Sequence, residues 1–385
     1  MQHSIGTWPT AIAAKALITH NGVVEHPVVF VEDGRVTRVA TRQQAALPAG
    51  ALDLADCTLA SGFLDVHVHG AGGRDVMEGD ATAIHTVAHT LAQHGTSRFL
   101  ATTVTASIQH TLHALQAIAL QIEAGAQHDG AQIIGIHLEG PFLSHAKRGV
   151  HPPADLQSPS VELFDRFHQA ANGHIRLMTI APELPGALDL IAHATAQGVR
   201  VSLGHSDAVG TQARAGIAAG ATSATHTFNA MRGLTQREPG MLGVVLDDAS
   251  LYAELICDHV HTSPEAVRLW LRMKGEQHAI LVTDGIAATG MPDGEYMLGD
   301  LRVQVADGVA MHQGALAGSV LTMDRAVVNV QAITGCSLPV AVRMATHNPA
   351  AMLGLTDRSD HADFNAFNDR GGVTHTILRG LLLTQ

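Results

Sequence analysis

The chain has 385 residues, 46% of them hydrophobic and 15% charged, and its formal net charge is −12. That acidic balance argues against a nucleic-acid partner, which needs a concentrated basic surface, and no apolar run approaches the roughly 20 residues that cross a bilayer. Cys57, Cys257 and Cys336 are too few and too scattered for a disulfide framework, and Met1-Gln2-His3-Ser4 lacks the basic-then-apolar order of a secretory signal, so a cytoplasmic protein is expected.

Aromatic residues are only 3% of the chain, so the core must rest on Ala, Val, Leu and Ile. Residues 16–40 read as short strands broken at Asn21-Gly22 and Asp33-Gly34, both hairpin-turn signals. From Leu59 onward, apolar runs alternate with Ala-rich helical patterns. Strands are expected at 59–69, 98–106, 132–139, 174–182, 199–206, 222–230, 251–258 and 278–285. Helices are expected at 80–95, 107–125, 160–172, 186–198, 208–219 and 263–274, with starts signalled by Glu183-Leu184-Pro185, Ser206-Asp207 and Ser263-Pro264. Eight apolar strands alternating with helices predict an α/β fold with a covered parallel sheet, and eight units over about 230 residues fit a (β/α)8 TIM barrel better than an open sheet. Residues 293–318 predict a small β excursion, followed by helices at 321–334 and 338–354 and a β-type tail from Ala362. The expected organisation is a barrel of residues 58–357 and a small β-sandwich formed jointly by 1–57 and 358–385.

Twenty-six histidines make any single one a weak signal: random placement gives about two His-x-His pairs, and two are present, His67/His69 and His259/His261. Position decides. Catalytic side chains of a barrel gather at the carboxyl ends of its strands. His67 and His69 close strand one on one face, Glu139 closes strand three, His205 strand five, His226 strand six and Asp284 strand eight. Converging imidazoles and carboxylates are the ligand set of zinc or a related divalent ion. His85, His89 and His94 also have helical spacing, but HTVAH lacks the Glu of a HExxH site and reads as a solvated helix face.

Ten strings run in order along nearly the whole chain: SGFLDVHVHGAGG (61–73), GIHLEGPFL (135–143), KRGVH (147–151), TIAPE (179–183), GHSDA (204–208), ATHTFNAM (224–231), REPG (237–240), LVTDG (281–285), LAGSVLTM (316–323) and THNPA (346–350). With them the sequence resembles the amidohydrolase superfamily, and closely resembles its N-acetylglucosamine-6-phosphate deacetylase family, for which HLEGPF and THTFNAM are specific. The resemblance implies a barrel with a terminal β-sandwich. The implied activity is metal-dependent hydrolysis of the acetamide of N-acetyl-D-glucosamine 6-phosphate to D-glucosamine 6-phosphate and acetate, in amino-sugar catabolism.

Residue by residue, the resemblance makes Glu139, His205 and His226 the principal metal ligands and Asp284 the general acid/base. It makes His151, beside Val150, a substrate contact that polarises the acetamide carbonyl, and His261 a further substrate contact. Asn229 and Ala230 match the segment that meets the sugar phosphate. Arg237 matches an arginine that reaches that phosphate from the neighbouring subunit, which implies a homodimer. Ala317, Gly318 and Ser319 match a sugar-contacting stretch. Family members carry either Gln-x-Asn and one metal or His-x-His and two at strand one, and His67 and His69 follow the second type, with Glu139 as the bridge. The expected cofactor is a divalent metal, Zn2+ foremost, one or two per subunit; Fe2+, Mn2+ or Co2+ suit the same donors. His259 and Gly285 stand where many relatives have Gly and Ala. Deacetylation of the galacto epimer, deamination or cyclic-amide hydrolysis, and a non-catalytic sugar-phosphate binder are the other readings. Strand four ends in Ala181-Pro182 and offers no lysine for the carboxylated bridge of many cyclic amidases, and a mere binder need not keep Asp284.

Overall fold

The computed structural model describes residues 9–125, 129–355 and 360–383. The tetrapeptide read against a secretory signal and the expected boundary at 357/358 lie outside the described residues. Eight strands, Phe63–Val68, Thr96–Thr103, Gln132–Glu139, Ile175–Ile180, Arg200–Leu203, Ser223–Ala224, Tyr252–Ile256 and Ala279–Val282, pair in sequence order and all in parallel. The ends of this sheet meet just past the last strand. Val68 bridges Gly285 in parallel, and the backbone N–H groups of Asp284 and His69 donate to His67 O and Gly285 O, each at 2.8 Å. The result is the expected (β/α)8 barrel, and its seam runs through three of the residues singled out above, His67, His69 and Asp284.

Serine caps start three of the covering helices. Ser107, Ser160 and Ser263 accept from the third helical N–H of Ile108–Ala124, Val161–Ala170 and Pro264–His278. Four local expectations change. Leu59–Ser61 belongs to the preceding strand, Leu52–Ser61, and the barrel strand starts only at Phe63, because Gly62 N–H bonds to Asp363 O in the terminal region. Ser206 and Asp207 do not cap the next helix, which begins at Gly210; Ser206 Oγ and Asp207 N–H donate instead to Glu183, both at 2.7 Å. The expected helix 338–354 is two, Leu338–Met344 and His347–Met352. A helix not expected from the sequence, Gly240–Asp247, fills the crossover between strands six and seven.

Both chain ends contribute to one eight-stranded sheet. Phe364–Phe367 lies antiparallel on Leu52–Ser61, which in turn pairs with Ala11–Thr19. Ile12, Leu17, Val29, Leu59, Phe364 and Ile377 form its apolar cluster. Glu32 and Arg35 face each other across Asp33 and Gly34, both at positive φ (48° and 75°), the geometry expected of an Asp-Gly hairpin turn. The excursion after strand eight is a four-stranded antiparallel sheet spanning 294–316. Among the described residues no helix is long and apolar enough to cross a membrane.

Candidate metal centre and active site

Alternation along barrel strand one sends Asp65, His67 and His69 to one face. Asp65 accepts from Thr283 Oγ1 at 2.5 Å across the seam, and the two histidines above it reach the mouth. Glu139 is the last residue of strand three, while His205, His226 and Asp284 each lie two residues beyond strands five, six and eight. All six are buried. His205, His226 and Asp284 have positive φ of 46°, 29° and 51°, as do Phe228, Ala230 and His259 nearby. Half of the twelve non-glycine residues with positive φ among the described residues therefore sit at this one place. Such backbone is costly for an L-residue and persists where the surroundings impose it, which marks a functional site.

The side chains converge on Glu139. Its Oε1 lies 3.2 Å from His205 Nε2, 3.3 Å from His226 Nε2 and 3.4 Å from His67 Nε2, and its Oε2 lies 3.2 Å from His69 Nε2. Asp284 Oδ1 is 3.4 Å and 3.2 Å from His67 and His69 Nε2. His205 and His226 Nε2 are 3.0 Å apart. For three of the rings, what holds the far side fixes the tautomer, whereas His226 Nδ1 is buried without a hydrogen-bond partner. His69 Nδ1 faces Thr102 O at 3.0 Å and His205 Nδ1 faces Lys147 O at 2.9 Å. A carbonyl can only accept, so these rings carry Nδ1–H and turn the Nε2 lone pair inward. His67 Nδ1 faces a carboxylate, Glu254 Oε2, at 3.2 Å with the same consequence.

His151 is built the opposite way. The Thr105 backbone N–H donates to its Nδ1 at 3.4 Å, and Thr105 Oγ1 lies 2.8 Å from the same atom. Its proton therefore sits on Nε2, 3.7 Å from Glu139 Oε2. Burial, and then the neighbouring His205, push its pKa down to about 3, so the ring is neutral. It is a hydrogen-bond donor facing the centre.

The donor set fits a divalent cation. Among the described residues no Lys or Arg pairs with Glu139, Asp284 or Glu254, whose ion-pair partners are all histidines. Burial opposes charge on His69, yet its bonds to Asp284 and Glu139 raise its pKa to about 9, and His67 is raised well above the ordinary value against the same penalty. Burial would likewise raise Asp284, but the charges of His67 and His69 hold its carboxyl well below the usual range. A centre that draws protons onto its inward nitrogens is one that favours a cation. His67 Nε2 is also among the buried atoms with no hydrogen-bond partner.

The remaining expected residues lie around this mouth or are held by it. His261 Nδ1 is 2.7 Å from Asp258 Oδ2; burial would lower its pKa, and that carboxylate raises it. Asn229 Nδ2 donates to His226 O at 3.3 Å, and half-buried Ala230 follows at φ 51°. Val150 is half-buried against the apolar cluster under the β excursion, which includes Ala317. Gly318 has φ 59°, and Ser319 N–H donates to Asp284 O at 2.8 Å. Ser319 Oγ donates to Thr283 O at 2.6 Å, so it braces the Asp284 turn. Arg237 is exposed and forms no ion pair among the described residues; Glu238 Oε1 accepts instead from the N–H groups of Gly210 and Gly240 at 2.7 and 3.0 Å. His259 is exposed with φ 66°, a conformation that glycine adopts freely and other residues rarely. Thr105, Glu254 and Asp258 had no place in the sequence reading. A carboxylate inside the apolar run LYAELICD was the one available signal for Glu254.

The Amidohydrolase family matches residues 58–382. The chain is 35% identical over 343 residues to the N-acetylglucosamine-6-phosphate deacetylase of Lysinibacillus sphaericus, covering 89% of this chain and 88% of that one. It is 36% identical over 345 residues to the N-acetylgalactosamine-6-phosphate deacetylase of Escherichia coli O157:H7, covering 89% of each. Among solved structures, a mutant N-acetyl-D-glucosamine-6-phosphate deacetylase from Mycobacterium smegmatis, in complex with N-acetyl-D-glucosamine-6-phosphate, superposes with a TM-score of 0.92 at 33% identity, over 99% of this chain and 100% of that one. Family profile, near full-length relatives and fold agree, and the chain belongs to the amidohydrolase family, in its group of N-acetyl amino-sugar-phosphate deacetylases.

Proposed function

We propose that this chain hydrolyses the acetamide of N-acetyl-D-glucosamine 6-phosphate, releasing acetate and D-glucosamine 6-phosphate, with a divalent metal as cofactor. One observation carries the reading: inward Nε2 atoms of His67, His69 and His205 around Glu139, opposed by His151 with its proton on the inward side. Glu139, His205 and His226 would hold one ion, and His67 and His69 with Glu139 a second, Zn2+ being the best match to the donors. Such an ion polarises the amide carbonyl and lowers the pKa of water from 15.7 toward about 7.

The chain's own groups supply the rest. Asp284 is ionised and buried at the mouth, placed to take the proton of the attacking water and pass it to the departing amine. His151 Nε2–H would donate to the carbonyl oxygen as negative charge develops there. His261, whose pKa Asp258 raises against the effect of burial, and Arg237 would hold the phosphate, with Asn229 and Ala230 beside it. Exposed and without an ion pair among the described residues, Arg237 is free to serve the neighbouring site of a homodimer. Val150 and Ala317–Ser319 would line the sugar. A cytoplasmic setting suits a phosphorylated substrate.

A carbamate-bridged cyclic amidase is disfavoured, because the inward position on strand four is Thr179, bonded to His137 Nε2 and Thr225 Oγ1 at 2.8 Å each. Measuring kcat/KM for the gluco and galacto 6-phosphates, alongside metal content, tests the proposal. A preference for the gluco epimer supports it, and a preference for the galacto epimer moves the assignment to that sugar.

A further inference from the structure

Glu254 is a carboxylate that the deacetylation chemistry leaves without a task. It sits in the seventh barrel strand between Ala253 and Leu255 and is fully buried. Its Oε2 accepts from two donors, the ring Nδ1–H of His67 at 3.2 Å and the backbone N–H of His226 at 3.3 Å. Its Oε1 is buried with no partner. Pairing of this strand with its neighbour does not need the side chain, since Thr227 N–H already donates to the backbone carbonyl of Glu254 at 2.8 Å. A buried carboxylate with one oxygen unpartnered and no Lys or Arg beside it among the described residues is expensive to keep in a barrel interior, so it asks for a cation or for work on its neighbours. The two hydrogens it accepts belong to residues that approach Glu139 from different strands, His67 from strand one and His226 from beyond strand six.

We infer that Glu254 is a positioning residue for metal binding: one carboxylate oxygen fixes the His67 ring and the His226 backbone at once and couples the two halves of the ligand set. This rests on the metal-dependent reading above. Two effects follow. The bond to His67 Nδ1–H selects the tautomer whose Nε2 points inward, and the negative charge behind the ring makes that nitrogen a stronger donor. The bond to His226 N–H pins the residue whose φ of 29° is the smallest positive value in the chain's described backbone.

The test is Zn2+ affinity, measured by competition with a chromophoric chelator, for wild type, E254Q and E254A, with the melting temperature of each metal-free protein recorded beside it. Removing the acceptor in E254A should weaken Zn2+ binding about 10–100-fold, the range for partners of metal-bound histidines. The amide oxygen of E254Q can accept the same two hydrogens, with its NH2 turned to the empty Oε1 side, and should recover most of that loss. The metal-free melting temperature of E254A should not fall. Affinity in E254A within threefold of wild type overturns the inference, as does E254Q no better than E254A. Should E254A fail to fold, E254D carries the same test, because its shorter side chain leaves the carboxylate out of reach of His67. Zn2+ bound by wild type without acetate release would remove the substrate reading alone; no Zn2+ binding at all would remove both.

Discussion

Asp284→Asn isolates proton transfer from everything else at this site. Asp284 has φ 51°, a region that Asn tolerates nearly as well as Asp, so the seam bonds from Asp284 N–H to His67 O and from Ser319 N–H to Asp284 O should persist. Alanine there would add roughly 1–2 kcal/mol of left-handed strain and blur the result. The amide keeps an oxygen near His67 and His69 Nε2, now 3.4 and 3.2 Å from Oδ1, but cannot take a proton from water. Positioned general acid/base groups contribute about 10²–10⁴-fold, or roughly 2.7–5.5 kcal/mol of activation free energy. Acetate release from the sugar phosphate should therefore show kcat lowered by that factor, with KM and metal content close to wild type. A kcat within tenfold of wild type at equal metal content would refute the role of Asp284.

Arg237→Ala should raise KM for the phosphorylated sugar about 10–100-fold, the worth of a charged hydrogen bond of roughly 1.5–3 kcal/mol, and mixing it with D284N should restore activity if the arginine serves the partner's site; an unchanged KM or no rescue would contradict this. For His261, the raised folded pKa means that the imidazolium persists above its ordinary range and phosphate affinity falls only as pH rises through that raised value. D258N removes the cause, so the rise of KM with pH should begin at lower pH than in wild type, and coincident profiles would contradict the pairing. Gly318→Ala would place a methyl 2.4 Å from Ile286 Cγ2 and 2.9 Å from Asp284 O at φ 59°, which should cost about 1–3 kcal/mol in denaturant unfolding and lower kcat by shifting Asp284. Unaltered stability would show that this turn relaxes freely.

The strand-end histidines, Glu139 and Asp284 were legible because barrel strands are apolar runs, and a ligand-type residue at the close of each run breaks the pattern visibly. Glu254 was not. Its meaning depends on the 187-residue separation from His67 being closed by the barrel, which no local pattern carries. Thr105 acts on His151 through a backbone N–H, and a backbone donor has no signature in composition. The helix Gly240–Asp247 escaped because Gly240 and Gly243 depress helix propensity, while burial of Met241, Val244 and Val245 supplies what propensity does not. Ser206-Asp207 looked like a cap because capping residues also serve as loop anchors, and here Glu183 claims both. The twenty-six histidines divide the same way: position around Glu139 separates those of the candidate site, and His137, hydrogen-bonded to Thr179 within the barrel, is a satisfied core residue.

The most direct measurement is a product count. Metal-stripped protein, then the same protein reloaded with Zn2+, is incubated with N-acetylglucosamine 6-phosphate and with N-acetylglucosamine lacking the phosphate. The account predicts acetate and glucosamine 6-phosphate in equal amounts from the phosphorylated sugar, dependent on reloading, and far slower release from the unphosphorylated one. Equal rates on both sugars, or acetate release that persists without metal, would contradict it.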